Sequence, residues 1–123
     1  MAHILVVDDE PLLRRTLRTI LERAGHVVDE AGDGNQALRA FAAERPDLVI
    51  TDIVMPDREG IETIAQLRGE NPGVPIIAMS GGGSAGSTLF LELARQLGAT
   101  RTLNKPIRQA ELLAAVDACL TAA

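Results

Sequence analysis

The chain has 123 residues, 46% hydrophobic and 24% charged, which bounds it to one globular domain and excludes disordered, collagenous and coiled-coil classes. With 12 Lys and Arg against 17 Asp and Glu the formal net charge is -5, a sign that repels a phosphate backbone and argues against nucleic acid as a partner. The single cysteine, Cys119, excludes an internal disulfide framework and a multi-cysteine zinc site, and fits a reducing cytoplasm.

Five short apolar runs alternate with longer stretches of helical period: His3 to Val7, Val27-Val28, Leu48 to Thr51, Pro75 to Met79 and Arg101 to Leu103. The first, third and fourth are continuous, as expected of strands covered on both faces, while the shorter second and fifth carry polar residues suited to sheet edges. After the first run, Leu12, Leu13, Thr16, Leu17, Ile20, Leu21 and Ala24 recur at helical spacing, opened by Pro11 and closed by Gly25. Asp33 reads as the N-cap of a second helix with Ala37, Leu38 and Phe41 inward and Arg45-Pro46 at its end. Ile61, Ile64, Ala65 and Leu67 mark a third, and Leu89, Phe90, Leu93, Ala94 and Leu97 a fourth stopped by Gly98. Leu112, Leu113, Val116 and Leu120 mark a fifth. Strand alternating with helix predicts an α/β fold, a five-stranded parallel sheet in the flavodoxin-like order 2-1-3-4-5 with five helices on its two faces; a small Rossmann half is the alternative.

In open sheets of this kind ligands bind beyond the carboxyl ends of the strands. Strand one there ends in Asp8-Asp9-Glu10, strand three in Asp52, strand four in Ser80 and strand five in Asn104-Lys105-Pro106. Neighbouring strands one and three bring Asp8, Asp9 and Asp52 together, and clustered carboxylates repel one another unless a cation joins them. Oxygen ligands favour Mg²⁺ over zinc, and neither His3 nor His26 falls at these strand ends. Taken alone, Asp9 reads better as a helix N-cap, and Lys105 as a surface lysine before a turn proline; the convergence of four strands on one edge favours the chemical reading. A metal held by Asp8 and Asp9, a carboxylate, a hydroxyl and an ammonium are the parts of phosphoryl transfer, with Asp52 as nucleophile, Ser80 as hydrogen-bond donor and Lys105 as the positive charge.

These segments, ILVVDDE at 4 to 10, LVITDIVMP at 48 to 56, IIAMS at 76 to 80 and NKP at 104 to 106, together resemble the response-regulator receiver (CheY-like) domains of bacterial two-component systems over nearly the whole chain. The resemblance implies one receiver domain, 1–123, without an output domain, acting in the cytoplasm. It implies phosphorylation of Asp52 from a phosphohistidine on a sensor histidine kinase or phosphotransfer protein. It also implies Mg²⁺ bound directly by Asp9 and Asp52, by Asp8 through water and by the backbone carbonyl of Val54. Ser80 becomes the switch hydroxyl, Lys105 the phosphate contact, and the bond to Pro106 is expected to be cis.

Two features depart from the family pattern. Thr102 stands where such domains carry an aromatic switch residue, so output must be read without a ring changing rotamer. Residues 80–87 include Gly81, Gly82, Gly83 and Gly86, so this segment either serves as a flexible connector or closes its amide groups onto a phosphorylated Asp52. Val54, two positions after Asp52, offers no polar group to orient a hydrolytic water, which predicts a long-lived phosphoform and removes the general acid of an aspartyl-phosphate phosphatase. Arg14, Arg15 and Arg18 read as the wet face of helix one. The expected function is that of a single-domain response regulator that catalyses only its own phosphorylation and slow dephosphorylation. It signals to a downstream protein as a monomer or a weak phosphorylation-linked dimer. A phosphorylation-independent interaction module is the rival.

Overall fold

The computed structural model describes residues 2–53, 60–71, 73–81, 92, 95–96 and 98–121. Strands β1 (His3–Val7), β2 (Val27–Ala31), β3 (Leu48–Asp52), β4 (Ile76–Gly81) and β5 (Arg101–Lys105) form one parallel sheet in the order β2-β1-β3-β4-β5. That is the predicted topology, and the reversal of strand order between β1 and β3 opens the crevice where a ligand is expected. Four of the strands run past their predicted ends, because an apolar run marks only the part of a strand that helices cover. β3 is buried throughout, whereas β2 and β5 mix buried with partly or fully exposed positions as edge strands do.

The predicted helices are found as α1 (Pro11–Arg23), α2 (Gly34–Ala43), α3 (Gly60–Glu70) and a C-terminal helix (Gln109–Thr121). Pro11 occupies the first turn of α1, where its missing N–H costs nothing, and Gly25 ends the helix at φ +97°, a conformation glycine adopts without strain. Asp33 caps α2 as predicted, its carboxylate accepting the Gln36 N–H at 2.8 Å. The fourth predicted helix falls mostly outside the described residues, although Glu92, Arg95 and Gln96 are helical. Phe90 lies outside them as well.

Two apolar layers sandwich the sheet. Leu5, Val7, Val49 and Ile76 face α2 and α3 through Ala37, Phe41, Ile64 and Leu67. Ile4, Val6, Ile50 and Met79 face α1 and the C-terminal helix through Leu17, Leu21, Leu112 and Val116. Phe41 is 1% exposed and meets the Arg45 guanidinium 5.9 Å above its ring, so Phe41→Ala is expected to cost about 3 to 5 kcal/mol. Urea unfolding checks this, and a loss under about 1 kcal/mol would mean that the layer refills the cavity.

Helix α1 corrects part of the predicted stripe. Leu17 and Leu21 are buried and Leu13 and Ile20 partly so, but Leu12 is 84% exposed and Thr16 and Ala24 are exposed as well. Leu12 stands in a run of exposed residues, 9–12, at the start of α1, and Ala24 at the opposite end, beyond its last turn. Among the described residues no helix is long and apolar enough to cross a membrane.

Candidate functional site

Asp8 follows the last residue of β1, Asp52 is the last residue of β3, and the register Val7↔Thr51 sets them side by side. Asp9 joins them: one carboxylate oxygen from each of Asp8, Asp9 and Asp52 lies within 4.8 Å of the other two. Lys105, closing β5, reaches across the edge, its Nζ 2.9 Å from Asp52 Oδ2, 3.1 Å from Asp8 Oδ2 and 3.6 Å from Glu10 Oε1. Ser80 is buried near the end of β4, one residue past Met79, the partner of Asp52 in the ladder. The peptide bond between Lys105 and Pro106 is cis, as expected. Val54 and residues 82–87 of the glycine segment lie outside the described residues.

Asp9 does not cap α1. Glu10 occupies the N-cap position without a side-chain cap, and it is Asp8 Oδ1 that accepts a neighbouring backbone donor, the Glu10 N–H at 2.8 Å. Asp8 is thereby fixed and Asp9 projects towards solvent, available to a ligand.

The electrostatics of the cluster are unbalanced. Burial pushes the Asp8 carboxyl above its ordinary value, although the Glu10 N–H and Lys105 oppose this and the charge of Asp52 adds to it. Burial alone would lower the Lys105 ammonium, but its hydrogen bond and charge interactions with Asp52 and Asp8 outweigh that and raise it, so Lys105 is charged at neutral pH. Asp8 Oδ2 is buried and faces the Lys105 ammonium at 3.1 Å. Three carboxylates against one ammonium leave an excess negative charge that a divalent cation matches, and the all-oxygen donor set suits a hard ion.

The sequence reading missed the support of this site. Arg15 is exposed and Arg18 partly so, as a wet face requires, but two of these arginines also have partners: Arg14 Nε and Arg18 Nη1 hold the Glu30 carboxylate at 2.8 and 2.9 Å, and Arg14 Nη1 donates to the Asp8 carbonyl at 2.7 Å. Burial would raise the Glu30 carboxyl, but the hydrogen bonds from Arg18 and Arg14 prevail and hold it below the usual carboxylate range. A carboxyl depressed on folding contributes stability that is present above its unfolded value and lost as pH falls through its folded one. Glu30→Gln is therefore expected to cost about 1 kcal/mol at neutral pH and nothing below that window. Urea midpoints across pH 2 to 7 check it, and a pH-independent difference would remove the clamp from the account.

A family model described as the response regulator receiver domain matches residues 4–117. The chain belongs to this family. As a receiver domain it is a module of two-component signalling. It is 35% identical to the chemotaxis protein CheY of Halobacterium salinarum, over 98% of each chain. It is 38% identical to the response regulator MprA of Mycobacterium tuberculosis, over 96% of this chain and 50% of that one. The chain thus spans about half the length of MprA, and 33% of the probable transcriptional regulatory protein TcrX, to which it is 40% identical over 77 residues. Among solved structures, the receiver domain of NtrX from Brucella abortus superposes with a TM-score of 0.90 at 29% identity, covering 98% of this chain and 99% of that one. CheY4 of Vibrio cholerae superposes at 0.88 and 30% identity with the same coverage. The receiver's acidic cluster is a set of ligands able to hold a divalent metal ion.

Proposed function

We propose that residues 1–123 act as one receiver domain that accepts a phosphoryl group on Asp52 from a phosphohistidine of a sensor histidine kinase or phosphotransfer protein. Output is a phosphorylation-dependent contact with a downstream protein in the cytoplasm. The observation that supports this most is Lys105 Nζ within 3.1 Å of both Asp52 and Asp8, with Asp9 in the same cluster of oxygens. An Asp52 oxygen attacks phosphorus, and the bond from phosphorus to the donor nitrogen breaks. The nitrogen keeps the electron pair and takes up a proton, leaving an acyl phosphate on Asp52. Lys105 attracts the phosphoryl oxygens, and Ser80 donates a hydrogen bond to one of them. Asp8, Asp9, Asp52 and the Val54 carbonyl would hold Mg²⁺, which when bound would supply positive charge to the transferring group.

Incubation with acetyl phosphate and Mg²⁺ tests the proposal. The expected product is one hydroxylamine-sensitive adduct per chain mapped to Asp52. Lack of an adduct would favour the phosphorylation-independent module, for which Thr102 at the aromatic position is the best argument, and continuous turnover of a phosphate ester would favour a phosphatase. With apolar Val54 two positions on, the adduct is expected to persist without a partner; rapid loss of label would show that water is oriented by another group.

A further inference from the structure

We propose that His3, Asp29 and Glu44 form a second metal site, for a divalent cation of the zinc class, at the end of the sheet remote from Asp52. His3 opens β1 and Asp8 follows its last residue, so the two sites lie on the order of 16 Å apart along the strand. Asp29 comes from the edge strand β2, and Glu44 is the residue that ends α2. Their candidate ligand atoms all lie within 4.8 Å of one another.

The imidazole geometry makes this more than a cluster of charges. Its Nε2 lies 2.6 Å from Asp29 Oδ2, a separation at which two acceptors would repel, so Nε2 carries a hydrogen and donates it. The other nitrogen, Nδ1, is buried and has no hydrogen-bond partner among the described residues. The polar atom it faces is Glu44 Oε1 at 3.8 Å. A buried lone pair opposite a carboxylate is costly without something positive between them. A proton on Nδ1 would meet Glu44 as an ion pair only, since 3.8 Å is beyond hydrogen-bond reach, whereas a metal ion would be bonded to both atoms. The same gap is close to the span of two metal–ligand bonds of about 2.0 to 2.1 Å meeting at an open angle.

Asp29 then fills the role of the carboxylate that orients a metal-binding histidine through its other ring nitrogen. Asp47 adds negative charge beside the site, its Oδ2 accepting the His3 backbone N–H at 2.9 Å. Nitrogen with carboxylate oxygen selects zinc over magnesium, the reverse of the preference of the Asp8–Asp9–Asp52 set. Glu44 is 75% exposed at its side chain, so the remaining coordination positions open to water.

Calorimetric titration of the whole protein with Zn²⁺, in excess Mg²⁺ so that the acidic set is occupied, tests the proposal, with Co²⁺ absorption reporting a nitrogen ligand. One zinc per chain is expected. His3→Ala should abolish binding, while Asp29→Asn and the exposed change Glu44→Gln should each weaken it on the order of tenfold or more. Glu44→Gln decides the matter if His3→Ala fails to fold. Asp9→Asn and Asp52→Asn should leave the zinc isotherm unchanged, so failure here is distinguishable from failure of the phosphoacceptor reading. Absence of binding by the native protein, zinc binding unaffected by Glu44→Gln, or loss of binding in Asp52→Asn would overturn it.

Discussion

Asp52→Asn is expected to cut phosphoryl uptake from acetyl phosphate on the order of 10³-fold or more, because the amide keeps the shape of the carboxylate but lacks a nucleophilic anionic oxygen. The fold should survive, since Asp52 sits at the end of β3 and the strand's ladder does not depend on its side chain. Lys105 keeps Asp8 as a partner at 3.1 Å, and the amide oxygen it would then face in place of the carboxylate can still accept its hydrogen bond. Mg²⁺ affinity should fall in the same variant, because one of the clustered oxygens becomes neutral. Intact-mass measurement of the adduct and urea unfolding separate the two effects. Uptake at the native rate by a folded Asp52→Asn protein would move the phosphoacceptor elsewhere, with Asp9, in the same cluster, as the next candidate.

How much of this was legible in the sequence follows from the range over which each residue finds its partner. β1, β3 and β4 announced themselves because helices cover both of their faces, and the polar residues that end each strand therefore stood out against apolar runs. β2 was cut short at Val28 because Asp29 and Glu30 look like loop residues. An edge strand tolerates them here because His3 is bonded to Asp29, while Arg14 and Arg18 hold Glu30. Those partners lie between 12 and 26 residues away, a range over which periodicity carries no information. The same distance hid Arg14's bond to the Asp8 carbonyl, which needs α1 to fold back along β1. Leu12 erred in the opposite sense, since a helical stripe shows which side faces the sheet but not where the sheet stops. Asp9 taken alone looks like a cap because Asp and Asn are good caps in general, but the cluster reading of Asp9 is the one the geometry fits, and Asp8, nearer the strand, takes the backbone donor.

Lys105→Met should destabilise the metal-free protein by about 2 to 4 kcal/mol, a loss that excess Mg²⁺ largely restores. The methionine keeps much of the volume and apolar stem of the lysine, so packing changes little. What disappears is the charge that faces both Asp8, whose side chain is 0% exposed, and Asp52, at 8%. Removing one member of a buried ionic group leaves the others uncompensated, and the penalty falls short of the upper end of the usual range because burial already inclines Asp8 towards its neutral form. A divalent cation supplies the missing positive charge at the same oxygens, and ligand present at about a hundred times its dissociation constant stabilises by roughly 2.7 kcal/mol. Lys105→Met should therefore bind Mg²⁺ more tightly than the native protein, in which ammonium and metal compete for the Asp8 and Asp52 oxygens, yet take up phosphate more slowly for want of the charge that meets the phosphoryl oxygens. Urea unfolding in EDTA and in Mg²⁺, beside uptake from acetyl phosphate, reads all three quantities. Equal losses of stability with and without Mg²⁺ would mean that metal and lysine act on different oxygens, and the acidic cluster would then have to be divided between two separate roles.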